Sequence, residues 1–144
     1  MKIDSIKNGI VLDHIKAGKG LDIYKALGLS ELDCSVAIIQ KVPSKKMGKK
    51  DILKIADHFD IDLDVIGYVD PDATVATIKD GTIVEKKQVE LPQKLVNIVR
   101  CKNPRCITSI EQELDHVFVL SDKETRVYRC QYCEARQSKY MKRK

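Results

Sequence analysis

The chain has 144 residues, room for one ordinary domain or two small ones. With no tryptophan, two phenylalanines and 33% charged residues, it argues against one large core and for two small ones. The net charge of +5 is uneven: residues 92–144 hold twelve Lys/Arg against six Asp/Glu, residues 1–91 fourteen against fifteen.

In chain order, Ile10 to Ile15 follows Asn8-Gly9 as a short β-branched run and is expected as a strand. Leu21, Ile23, Tyr24 and Leu27 recur at helical spacing, with Gly28 placed to end the helix in a left-handed conformation. Ser35 to Val42 is expected as a second strand, closed by Pro43. Cys34 before it is expected as a buried thiol. Pro43 to Lys50 is a basic turn. Asp51 to Phe59 alternates as a strand, with Leu53, Ile55 and Phe59 on one face, although a helix also fits. Asp60 to Val69 suits a short helix. Ala73–Ile78 and Thr82–Lys86 bracket Lys79-Asp80-Gly81, a hairpin turn. The order β-α-β-β-α-β with a terminal hairpin predicts an α+β fold, helices on one face of a mainly antiparallel sheet. Val89 to Gln93 is the candidate boundary, giving domains of 1–91 and 92–144. Lys94 to Arg100, Val117 to Leu120 and Arg126 to Arg129 are expected as strands of a small β-rich second domain.

That second domain carries four cysteines in two pairs, Cys101-x4-Cys106 and Cys130-x2-Cys133, with 23 residues between the pairs. Two ligands fit on one tight turn, and two such turns complete a tetrahedron, so the pattern reads as a zinc site. Two disulfides are the alternative. The opening Met-Lys-Ile-Asp-Ser lacks the apolar segment of a secretory signal, which favours a reducing cytoplasm and metal. No apolar run approaches a membrane span, so the expectation is a soluble protein with no membrane partner. Four cysteine ligands leave no position for water or substrate, so the zinc is expected to be structural.

No catalytic apparatus stands out. There is no Gly-rich phosphate loop, and His14, His58 and His116 lie in no metalloprotease motif. Asp13 and His14 are neighbours on a strand, which should send them to opposite faces and prevent their acting as a dyad. Lys45, Lys46, Lys49, Lys50, Lys54, Lys86 and Lys87 read either as a solvated surface or as an anion site.

Taken jointly, Ile6-Lys7-Asn8-Gly9 through Asp13-His14-Ile15, Pro43-Ser44 with Met47-Gly48-Lys49-Lys50-Asp51, Pro71 with Ala73-Thr74-Val75, Leu91-Pro92 and the cysteine pairs resemble the regulatory chain of aspartate carbamoyltransferase over essentially the whole length. The resemblance implies a non-catalytic subunit of pyrimidine biosynthesis. Its first domain would be a ferredoxin-like α/β sandwich that binds CTP or ATP and pairs with a second regulatory chain. Its second would be a zinc domain that docks the catalytic chain and links catalytic trimers. Asp4, Ser5, Ile6 and Lys7 would line the base pocket, partly through backbone groups, with Val11 packed nearby. Asp13 would accept from the ribose hydroxyls, His14 and Lys86 would face the phosphates, and Lys54 would reach ribose or base. Lys50 and Ile52 fall in the same segment. The chain departs from the family at Ala76, where Asn is common, and at Gly81, where some members carry an aromatic residue. A zinc-ribbon nucleic-acid-binding protein is the alternative reading, with Phe118, Tyr128, Tyr132 and Tyr140 as the few stacking residues; on the leading reading, nucleic acid is not a partner.

Overall fold

The computed structural model describes residues 6–58 and 60–137. It divides into two compact units, Met1–Glu90 and Leu91–Lys144. In the first unit the elements run β1 (Gly9–Lys16), α1 (Gly20–Ala26), β2 (Val36–Ser44), β3 (Gly48–Ile55), α2 (Leu63–Val69), β4 (Thr74–Lys79) and β5 (Thr82–Gln88). The strands form one antiparallel sheet in the order β2-β3-β1-β4-β5. Its first four strands and two helices are the ferredoxin-like arrangement, and β5 is added beside β4 by the hairpin.

The period-2 pattern decides which face is covered. Ile10, Leu12, Leu53 and Ile55 are buried, whereas Val11, Ile52 and Lys54 on the opposite face are partly exposed. Ile23 of α1 and Val65 and Ile66 of α2 complete the core, with α1 and α2 touching. Leu27 caps α1, and Gly28 follows at φ 67, the left-handed position expected of it. Asp62 caps α2, its side chain accepting from the Asp64 amide.

Two expectations about the strands of the first unit need correction. Pro43 does not close β2, which runs on to Ser44. The strand lies at the sheet edge, where a residue without an N–H is tolerated. The strand begun at Asp51 ends at Ile55, with bends at Ala56 and Asp57; Phe59 lies outside the described residues.

The second unit holds β6 (Lys94–Val96), β7 (Val117–Asp122) and β8 (Val127–Cys130) in one antiparallel sheet, with α3 (Ile107–Ile110) between β6 and β7. Leu95, Phe118 and Tyr128 are buried on its inner face. The Tyr128 hydroxyl donates to the Pro92 carbonyl, tying β8 to the start of the unit. The run expected as a strand from Lys94 to Arg100 stops at Val96, because Asn97 takes φ 58 and turns the chain away.

Candidate functional site

The four cysteines converge. Their sulfur atoms all lie within 4.8 Å of one another, with Cys101–Cys133 at 3.5 Å and Cys106–Cys130 at 3.7 Å. A tetrahedron of thiolates about 2.3 Å from a metal has edges of roughly 3.8 Å, so the cluster fits a metal ion in all-sulfur coordination. Two tight turns supply it. Cys106 stands at the N-terminus of α3, and Cys130 ends β8 one turn before Cys133. Burial pushes the Cys101 thiol up to about 12 and raises that of Cys130. At Cys133 burial also acts upward. Hydrogen bonds from the Ala135 amide, Asn103 and the neighbouring thiols outweigh it and bring the group down to about 7. Four thiolates this close need a cation, and metal binding displaces their protons. The surrounding shell is ordered too. The buried Thr108 hydroxyl lies 3.1 Å from Cys106 Sγ, and the Cys101 amide donates to Nδ1 of His116 at 3.2 Å. Sequence reading named His116 only as outside a metalloprotease motif and passed over Thr108, and neither spacing nor composition carries a signal for their place beside the cysteines.

Of the residues given by resemblance to an effector site, Val11, Asp13, His14, Lys50, Ile52, Lys54 and Lys86 fall on strands of the first sheet, on the face that no helix covers among the described residues. Register aligns Lys54 with Val11, Val11 with Ala76 and Ala76 with Lys86, one row across β3, β1, β4 and β5. With strands about 4.8 Å apart, the two lysines stand roughly 14 Å apart at their Cα atoms, close enough for both long stems to reach one ligand. Among the described residues neither has a carboxylate within salt-bridge distance. In the neighbouring part of the face, Lys50 Nζ lies 3.0 Å from Asp13 Oδ1, with side-chain exposures of 17% and 30%. Burial acts to raise the Asp13 pKa, but the His14 amide and the Lys50 ammonium outweigh it and hold the carboxyl below its usual range. The Ala76 methyl, within the row, offers no hydrogen bond where an Asn amide would.

Asp13 and His14 do not point to opposite faces. A bulge between Leu12 and Ile15 breaks the alternation, with His14 at φ 56. Leu12 and Ile15 are both buried, and the two residues between them are both partly exposed. The His14 amide donates to Asp13 Oδ1 at 2.6 Å, while the ring Nδ1 lies 3.0 Å from the Thr74 hydroxyl. The pair is therefore on one face, yet ring and carboxylate engage different partners.

At the far end of the sheet, the Lys7 carbonyl accepts from the Gly81 amide at 2.8 Å, and Asn8 Oδ1 accepts from that of Asp80. The hairpin turn thus holds the segment that includes Ile6 and Lys7. Gly81 sits at φ 78, which the turn requires and a side chain would strain. Asp4 and Ser5 lie outside the described residues.

The stacking residues of the nucleic-acid reading fare poorly. Phe118 and Tyr128 are fully buried, Tyr140 lies outside the described residues, and Tyr132 alone of the four is shown exposed.

Comparison with known proteins gives one consistent result. Residues 1–90 match the family model described as the allosteric domain of the aspartate carbamoyltransferase regulatory chain. Residues 93–141 match the metal-binding domain of the same chain. Similar relatives carrying that name include those of Clostridium botulinum strain Hall, 52% identical over 134 residues (93% of this chain, 92% of the relative), and Clostridium tetani, 53% identical over 135 residues (93% and 94%). The Bifidobacterium longum relative is 44% identical over 134 residues, covering 93% and 96%.

Proposed function

The chain belongs to the regulatory chains of aspartate carbamoyltransferase, and on that premise we propose that its first unit binds nucleotide effectors, CTP or ATP, on the uncovered sheet face while its second docks the catalytic chain. As a regulatory chain it is the non-catalytic subunit of an enzyme of pyrimidine synthesis.

The row Lys54–Val11–Ala76–Lys86 carries the effector reading. It offers an apolar centre for a base or ribose, with the Lys54 ammonium reaching ribose or base on one side and the Lys86 ammonium facing the phosphates on the other. Asp13 beside the row is an ionised acceptor for ribose hydroxyls, with Lys50 and Ile52 flanking it. His14 and Lys86 take the phosphate end. Asp4, Ser5, Ile6 and Lys7 complete the base pocket. Of these, Lys7 has its carbonyl already accepting from Gly81, which favours the remaining backbone groups for reading the base edge.

In the second unit, Cys101, Cys106, Cys130 and Cys133 would hold one structural zinc ion, which supplies folding energy and no chemistry. The α3 turn that begins at Cys106 exposes Ile107 and Ile110, at 43% and 63%, and suits an interface with the catalytic chain. Metal and docking surface are thereby one structure. Pairing of two regulatory chains through their first units would let one dimer link two catalytic trimers. Thiolate ligands are favoured in a reducing compartment, which supports a cytoplasmic location.

The test is a mixing experiment. Full-length chain with zinc should co-elute with the catalytic trimer and bind CTP in calorimetry. Absence of a complex in the presence of zinc rejects the docking role. Absence of CTP and ATP binding rejects the effector role.

A further inference from the structure

The sheet face just described depends on a residue that does not lie on it. Asp51 sits between Lys50 and Ile52 in β3 and points the other way, into the interior, where it is 0% exposed. Its carboxylate accepts three backbone hydrogen bonds. Gly18 and Gly20 donate to Oδ2, both at 2.9 Å, and Lys41 donates to Oδ1 at 3.0 Å. These donors come from the turn into α1 that follows β1, and from β2; β1 and β2 are the two strands that flank β3. Gly18 and Gly20 follow the end of β1. Lys41 lies in β2, at φ 59, within the bulge between Ile39 and Val42.

Both flanking strands are therefore irregular beside the same carboxylate. In β1 the bulge between Leu12 and Ile15 ends where Ile15 pairs with Asp51. Sliding β1 by one residue to restore regular pairing would drag Gly18 and Gly20 off Oδ2. It would also return Asp13 and His14 to opposite faces, since a one-residue slip inverts every side chain. In β2 the inserted residue needs a partner for its amide, and Asp51 supplies one. Holding Asp51 inward also holds Lys50 and Ile52 outward.

We propose that Asp51 is the positioning residue of the effector face, its buried carboxylate locking the β1 and β2 bulges that bring Asp13, His14 and Lys50 onto one surface. The inference rests on the effector reading above, and it assigns Asp51 no contact with the nucleotide.

Two substitutions test it in the full-length, zinc-loaded chain. Asp51→Asn keeps the shape but has one accepting oxygen. If that oxygen stays with Gly18 and Gly20, the amide NH2 faces the Lys41 N–H, donor against donor. Gly20→Ala acts independently, because its Cβ would lie 3.0 Å from both Cβ and Oδ2 of Asp51 and push the carboxylate aside. At a temperature where circular dichroism shows each variant folded, CTP should bind about tenfold or more weakly to each. The His14 ring resonances should move with it, and Asp51→Asn should shift the Lys41 amide more than those of Gly18 and Gly20. A purely structural role lowers the melting temperature of both variants but leaves CTP affinity and the His14 ring unchanged below it; that result overturns the proposal. Should Asp51→Asn fail to fold, Gly20→Ala carries the test alone. If the unmodified chain binds neither CTP nor ATP, the effector reading itself has failed. If it binds and the variants match it, only the role of Asp51 has.

Discussion

Lys50 and Asp13 stand 3.0 Å apart, and removing one of them exposes what the other is doing. Burial alone would raise the Asp13 pKa; the His14 amide and Lys50 reverse the sign. Because the folded value lies below the unfolded one, the stabilisation is fully present above about pH 4 and is lost as pH falls through the folded value. For a pair this exposed it is worth about 1 kcal/mol or less. Lys50→Met should therefore raise the Asp13 carboxyl titration midpoint, read by carbon NMR, with little change in melting temperature. An unchanged midpoint would mean that the ion pair does not form in solution. Lys54 and Lys86 test the row directly. Each Lys→Ala should weaken CTP binding about tenfold, with the difference shrinking as salt is raised. Equal binding by both variants would place the nucleotide elsewhere.

At the scale of elements, local chemistry predicts local outcomes. Asp62 caps α2 through the Asp64 amide, so Asp62→Ala should cost about 1 kcal/mol in denaturant unfolding of the first unit. A cost near zero would show that tertiary packing, not the cap, sets that helix start. Much of this level was legible in the chain. Ile10–Ile15, Leu21–Leu27 and the Asp80-Gly81 hairpin carry the periodicity or turn chemistry of the elements they form. What escaped was irregularity. Alternation predicts that Asp13 and His14 part, but a bulge is invisible to a period-2 pattern because its cause is elsewhere, in Asp51 of another strand. Asp51 left one faint trace, an acidic residue at an inward position of the alternation Asp51-Leu53-Ile55. Likewise α3 is four residues long and follows no periodicity; it starts directly after Cys106, one of the four converging cysteines. The cysteine pairs were the reverse case, since their spacing alone implies convergence.

For the whole molecule, the two units rest on different supports. The first has a sheet and two helices closed over an apolar core. The second has a small core, and its four thiols cannot all ionise at short range without a cation. Chelation at neutral pH should then unfold the second unit and leave the first with its native NMR spectrum and CTP affinity. Cooperative loss of both would mean that the units do not fold independently. Acid should act in the same direction as chelator, because protons compete with metal for the sulfurs.

On the proposed function, nucleotide bound on one unit changes the activity of a catalytic chain held by the other. That coupling is tested most directly by measuring carbamoyl transfer to aspartate, as a function of aspartate concentration, for catalytic trimer reconstituted with this chain and zinc. CTP or ATP should shift the half-saturating aspartate concentration of the complex, the free trimer should show no shift, and Lys86→Ala in this chain should diminish it. A reconstituted complex whose aspartate curve is the same with and without either nucleotide would contradict that coupling.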